Sequence, residues 1–210
     1  MNNSVLFVDI CDTLYPENTT VGFVYYVMES NGIKLNSYFS SKILKSINSV
    51  VYKVFNIDLF RYFLISKLEG FSKKELEYYA ESYICTLQKN KRVSKIIDNY
   101  IIKGFDIEFH SASLEPVVQA VSNIYMAKHY SASLLSYNNN RCEGKMKLDM
   151  LGNKKIEIYK SSKKYNFSVF ITDNKSDYSC YEYCDKFIAV IPKGKTSVFW
   201  EKKDVEFVNL

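Results

Sequence analysis

The stretch Val5-Leu6-Phe7-Val8-Asp9-Ile10-Cys11-Asp12-Thr13-Leu14 decides the fold. An apolar run ends on a carboxylate, Asp9, and Thr13 follows four positions later. A strand buried on both faces reads as a continuous apolar run rather than an alternation, and open α/β sheets bind their ligands at the carboxyl edge of such strands. The stretch therefore predicts a central parallel strand that delivers Asp9 to that edge. Asp also favours turns, so Asp9 and Asp12 taken alone fit an ordinary turn after a strand.

Outward from this strand, residues 20–103 show no strand pattern. Ile43, Ile47, Val50, Val51 and Val54 repeat at helical spacing, as do Leu76, Tyr79, Ala80, Tyr83, Ile84 and Leu87. Ser72 and Glu75 form a capping-box pair ahead of the second repeat. Asn31-Gly32, Glu69-Gly70 and Gly104 read as helix stops. The pattern then changes. Phe105, Ile107 and Phe109 alternate with polar residues, as in a strand ending at Ser111, and Pro116 lies in the first turn of the next helix. Residues 131–148 read as a hairpin turning at Asn138-Asn139-Asn140, and residues 153–164 as a helix. Ser168-Val169-Phe170-Ile171-Thr172-Asp173 reads as a strand, residues 177–184 as a helix, and Phe187-Ile188-Ala189-Val190-Ile191 as a strand stopped by Pro192. A short helix and a last strand, Val205-Glu206-Phe207-Val208, follow.

This order predicts an α/β fold: a doubly wound, Rossmann-like parallel sheet with a helical cap inserted after the first strand and a small β-hairpin. The core comprises residues 1–15 and 104–210, and the helical cap domain residues 16–103. If the strands ending at Asp9, Ser111 and Asp173 lie side by side, three polar groups meet at one sheet edge.

The chain of 210 residues is 47% hydrophobic, enough for a proper core. Its net charge of +5 is spread along the sequence, and no basic stripe points to nucleic acid. No apolar run reaches the length of a membrane span, and the first residues do not read as a signal peptide. Five cysteines without framework spacing fit a reduced, cytoplasmic setting. Cys180 and Cys184, one helical turn apart, could share a metal, but no further Cys or His stands near them in sequence, so they read as half-buried thiols. The 18 Tyr and 14 Phe can line a pocket or fill a core.

The first stretch resembles motif one of haloacid-dehalogenase-like (HAD) phosphohydrolases, D-x-D-x-T-L, with Cys11 in place of the second Asp. Phe109-His110-Ser111-Ala112-Ser113-Leu114-Glu115-Pro116 resembles motif two of the phosphoserine-phosphatase-like branch. Gly152-Asn153-Lys154-Lys155 resembles motif three, and Thr172-Asp173-Asn174-Lys175-Ser176-Asp177 motif four. The hairpin also has a counterpart in that branch. The resemblance covers nearly the whole chain apart from the insertion.

It implies a phosphatase that hydrolyses a small phosphorylated substrate. Asp9 would be the nucleophile and form an aspartyl-phosphate. Mg²⁺ would be held by Asp9, Asp173 and the backbone carbonyl of Cys11, with Asp177 in support directly or through water. Ser111 would hydrogen-bond the phosphoryl group, Lys155 would neutralise its charge, and Thr13 would orient the loop. Lys154 and Lys147 are rivals for the lysine. Ser111 and Ser113 could instead cap the next helix, and Asp173 and Asp177 could be a helix cap and a first-turn acid. His110 and Ser111 alternate in facing and do not form a dyad. Tyr25, Tyr26, Tyr52 and Arg61 could reach the site from the cap.

In that family the second Asp protonates the leaving group, and a thiol is a poor substitute. General acid–base help is worth about 10²–10⁴-fold in rate. Three outcomes follow: a slow phosphatase, restricted to good leaving groups; Asp12 taking over the role; or phosphate binding without turnover. A phosphotransferase or dehalogenase-type enzyme is a further alternative, though the Asp173/Asp177 pair favours the metal-dependent branch.

Overall fold

The structure, a computed structural model, describes residues 3–34 and 58–210. Its frame is a seven-stranded sheet: β1 (Ser4–Val8), β2 (Asp106–Leu114), β3 (His129–Asn138), β4 (Arg141–Leu148), β5 (Phe167–Thr172), β6 (Lys186–Ile191) and β7 (Glu206–Asn209). The spatial order is β4-β3-β2-β1-β5-β6-β7, and every pairing is parallel except β3 with β4. The strand β1 is central. The chain winds from it to one side through β2 and β3, then returns to its other side with β5. A crevice opens at that reversal, between the carboxyl ends of β1 and β5.

The continuous apolar run of β1 is explained by its two covered faces. Leu6 and Val8 join one buried cluster, with Ile107, Phe109, Val169 and Ile171. Val5 and Phe7 join the other, with Ile158, Phe170, Phe187 and Trp200. The first cluster continues into the insertion. Helices α1 (Thr19–Ser30), α2 (Leu59–Ser66), α3 (Lys73–Thr86) and α4 (Lys91–Ile102) contribute Phe23, Val24, Leu64, Ile65, Leu76, Ala80, Val93 and Ile97. The described helices of residues 16–103 thus share one apolar interior with the sheet. The Ser72/Glu75 capping box starts α3. The repeat from Ile43 to Val54, and Tyr52, lie outside the described residues.

Three local readings change. The strand β2 does not stop at Ser111: its pairing with β3 is interrupted after His110 and resumes at Leu114, so Ser111, Ala112 and Ser113 form an irregular stretch inside the strand. Neither Ser111 nor Ser113 caps the next helix. Leu114 occupies that position without a side-chain bond, and Pro116 in the first turn of α5 (Glu115–Ile124) needs no donor partner. The hairpin is part of the main sheet, because β3 also pairs with β2. Its two-residue turn, Asn139 and Asn140, has φ of 48° and 62°, the left-handed pair that a tight hairpin requires. The remaining helices are α6 (Lys154–Ser162), a 3-10 helix (Lys175–Tyr183) where residues 177–184 read as helical, and α7 (Val198–Glu201).

Candidate active site

The register brings Asp9 and Asp173 together. Val8 lies opposite Ile171, and the Asp9 amide donates to the Ile171 carbonyl at 3.0 Å. Thr13 then ties the two strand ends. Its hydroxyl donates to Asp173 Oδ1 at 3.0 Å and accepts from the Asp173 amide at 2.9 Å. The loop carrying Thr13 is held from the insertion: Asn90, the N-cap of α4, donates its side-chain amide to the Thr13 carbonyl and its backbone amide to the Leu14 carbonyl. Thr172, the last residue of β5, donates to Asp177 Oδ2 at 2.8 Å and lies 3.4 Å from Asp9 Oδ2. Thr172 is absent from the residues singled out in the sequence. A hydroxyl at the end of an apolar strand, beside an acid, was the available signal.

The lysine beside Asp9 is Lys154, not Lys155. Lys154 Nζ sits 2.7 Å from Asp9 Oδ2 and 2.8 Å from Asp177 Oδ2, and all three side chains are buried. Burial alone would push the ammonium toward neutrality, but Asp177 and Asp9 outweigh it and keep it charged. Lys155, one position on, turns about 100° around the helix. It pairs with Glu182 at 2.7 Å on the solvent side. Lys147 is exposed on β4. Adjacent lysines at a helix start differ in facing, and the sequence alone does not set the phase.

Ser111 is fully buried, lines the cavity above Asp9 and bonds to Ser113, which in turn meets Thr19 of α1 at 2.6 Å. His110 faces away, as its alternation requires. It bonds Ser131 and Glu108, and Glu108 also accepts from Ser161 at 2.6 Å and Tyr165 at 2.9 Å. Burial opposes the Glu108 charge, yet these donors hold its carboxyl at about 2. Arg61, from α2, does reach the cavity, but its guanidinium is engaged by Asp149 at 3.0 Å, the Ala112 carbonyl at 2.5 Å and Ser133 at 2.8 Å. Tyr25 and Tyr26 pack against the core instead.

Cys11 and Asp12 line the same cavity. Burial, reinforced by Asp9 and Asp12, pushes the Cys11 thiol up to about 12, so it stays protonated at neutral pH. Asp12 adopts φ 53°, a left-handed conformation that Asp tolerates better than most side chains. Burial raises its carboxyl against the opposing pull of Lys195. The cavity measures about 890 Å³, and its further walls include Asn18, Asp58, Phe60, Leu151, Pro192 and Trp200.

The charges at the floor are out of balance. Asp9, Asp173 and Asp177 crowd around one buried ammonium. Burial, and next the charge of Asp9, push the Asp173 carboxyl up to about 7. Asp173 uses Oδ1 for Thr13, and Asp9 Oδ1 accepts the Ile10 amide. Two hard carboxylates with a shortage of positive charge fit a hard divalent cation. Among the described residues no three His, Cys, Asp or Glu side chains close into a metal cage. Mg²⁺ commonly takes only one or two carboxylates and keeps its waters. Asp177, spent on Lys154 and Thr172, fits a supporting position. Cys180 is buried in the apolar cluster, so the Cys180/Cys184 pair has no third ligand among the described residues.

No family model and no curated protein sequence matches the chain. Solved structures do. A protein of unknown function from Bordetella pertussis Tohama I superimposes with a TM-score of 0.78 over 99% of both chains, at 13% identity. A HAD family hydrolase from Salmonella enterica subsp. enterica serovar Typhi gives 0.69 over 99% of this chain and 68% of its own, at 17% identity. A phosphoserine phosphatase, solved as a phospho-aspartyl intermediate analogue, gives 0.66 over 99% and 94%, at 14% identity. The chain therefore has the α/β fold of these HAD hydrolases.

Proposed function

We propose that this chain is a Mg²⁺-dependent phosphohydrolase acting on a small phosphate ester through an aspartyl-phosphate on Asp9. The observation that carries the reading is the meeting of Asp9, Lys154, Asp173 and Asp177 at the crevice between β1 and β5, with Ser111 beside them. Asp9 attacks phosphorus, the leaving-group oxygen departs with the bond electrons, and water later attacks the phosphorus of the acyl phosphate. Lys154 lowers the repulsion between the Asp9 carboxylate and the anionic phosphoryl group, and Ser111 hydrogen-bonds a phosphoryl oxygen. Asp9, Asp173 and the carbonyl of Cys11 would hold Mg²⁺, which supplies charge neutralisation when bound. Thr13 fixes Asp173, and Thr172 fixes Asp177. The described helices of the insertion act as the cap that sets specificity.

The protonated thiol at position 11 supplies little acid catalysis, which favours slow turnover or leaving groups that need no proton. The same observation supports a second reading, a phosphate-binding protein without turnover. Hydrolysis of 4-nitrophenyl phosphate with and without Mg²⁺ separates them, because its leaving group needs little protonation. The enzyme reading expects Mg²⁺-dependent release of nitrophenolate that Asp9→Asn abolishes, and Cys11→Asp should raise the rate on alkyl phosphates. Binding of a phosphate analogue with no hydrolysis of any ester would establish the second reading instead.

A further inference from the structure

We propose that Lys175 and Lys195 form a second anion subsite in the cavity, and that the leaving group of the substrate carries a second phosphoryl group. This rests on the phosphohydrolase reading of the same cavity. Among the described residues, four cationic side chains line it: Arg61, Lys154, Lys175 and Lys195. Two are spent. Lys154 is shared by Asp9 and Asp177, and Arg61 by Asp149, Ser133 and the Ala112 carbonyl. The other two have no carboxylate within ion-pair distance among the described residues. Lys175 Nζ lies 5.5 Å from the ring centre of Phe199. Lys195 lines the cavity with Asp12, and its charge acts on that carboxylate.

Both lysines follow the carboxyl ends of neighbouring strands. Lys175 opens the 3-10 helix two residues after Asp173, and Lys195 lies in the loop after β6, the strand paired with β5. Ile191, Pro192 and Trp200 add apolar surface to the same cavity. A phosphoryl group seated at Asp9 fills a small part of about 890 Å³, so the leaving group must occupy the rest. Two ammonium groups outside ion-pair distance of any described carboxylate suit a dianion, and lysine binds phosphate as a point charge without demanding a fixed fork geometry.

The test compares phenyl phosphate, 3-carboxyphenyl phosphate and 1,3-phenylene bisphosphate with Mg²⁺, esters whose leaving groups need little protonation. In the wild type, kcat/KM for the bisphosphate should exceed that for phenyl phosphate about tenfold or more after the statistical factor of two, with the carboxylate ester between. The preference should shrink at high salt, and the Lys175→Gln/Lys195→Gln double variant should bring the ratio close to one. A wild-type ratio near one, a ratio unchanged in the double variant, or a carboxylate ester equal to the bisphosphate would overturn the subsite. If no ester is hydrolysed, 4-nitrophenyl phosphate included, the phosphohydrolase reading fails by itself. The subsite is then judged by the fluorescence of Trp200, the only tryptophan in the chain, titrated with propane-1,3-bisphosphonate and with propylphosphonate. Tighter binding of the bisphosphonate, lost in the double variant, supports the subsite; equal binding overturns it.

Discussion

Replacing Asp173 by Asn should stabilise the metal-free protein while abolishing its Mg²⁺ response, and the gain should depend on pH in a defined direction. The Asp173 carboxyl stands at about 7 against an ordinary 3.8, first because it is buried and next because Asp9 is charged. A carboxyl raised in the folded state favours folding in its protonated form. That contribution is complete below 3.8 and is lost as pH rises through about 7. At about 1.4 kcal/mol per tenfold change in proton affinity, the ionised form costs roughly 4 kcal/mol at pH 8. At pH 5.5 the cost is about 2 kcal/mol, and at pH 4 about 0.5 kcal/mol. Asparagine keeps an acceptor for the Thr13 hydroxyl, so little of this gain is returned. For a chain of this length each kcal/mol moves Tm by about 2–4 °C, so thermal melts in chelator should show a rise of roughly 8–16 °C at pH 8 that fades toward pH 4. In saturating Mg²⁺ the order should reverse, because the wild type gains binding energy and the variant does not. A variant equally destabilised at every pH would refute the claim that Asp173 carries an uncompensated charge.

Lys154→Met should abolish the proposed phosphatase activity and cost about 3–5 kcal/mol in denaturant unfolding, because two buried carboxylates lose their shared cation. Lys155→Met should leave the unfolding midpoint unchanged and keep activity, because its partner Glu182 is at the surface; the opposite pattern would restore the first reading of the lysine. Iodoacetamide at pH 8, followed by peptide mass spectrometry, should label the exposed Cys85 well ahead of Cys11, whose thiol is pushed up to about 12. Glu108→Gln should destabilise by about 2–3 kcal/mol at pH 7, because an amide cannot satisfy the three donors around it. Glu108 is depressed from 4.5 to about 2, so its contribution is present above 4.5 and fades as pH falls toward 2. Urea melts at pH 3 should therefore show a smaller gap between the two proteins than at pH 7.

The legible parts of the sequence were those with a single physical explanation. The unbroken apolar run of β1 admits little besides a strand covered on both faces, and Asp9 follows from it. The Ser72/Glu75 pair and the double-asparagine turn likewise state their geometry locally. What stayed hidden depends on contacts distant in the chain. Whether Lys154 or Lys155 faces Asp9 is a matter of helix phase, fixed by Ile158 of α6 packing against Val5, Phe7 and Phe170 of the sheet. That β2 runs on past Ser111 depends on its pairing with β3 at Leu114 and Ser133. The engagement of Arg61 needs Asp149, which no local pattern links to α2.

The helix α6 is hooked at both ends. Lys154 reaches Asp9 and Asp177 from its first turn, and Ser161 reaches Glu108 from its last, with Ile158 between them. The two hooks are seven residues apart, about two full turns, so they hang from the same side. Each inserted or deleted residue would swing one hook about 100° away from its partner. The outward positions Ile156, Tyr159 and Lys160 are free to drift in chemistry while the count from 154 to 161 is not. Lineages that keep this fold should vary what α6 shows to water and preserve how long it is.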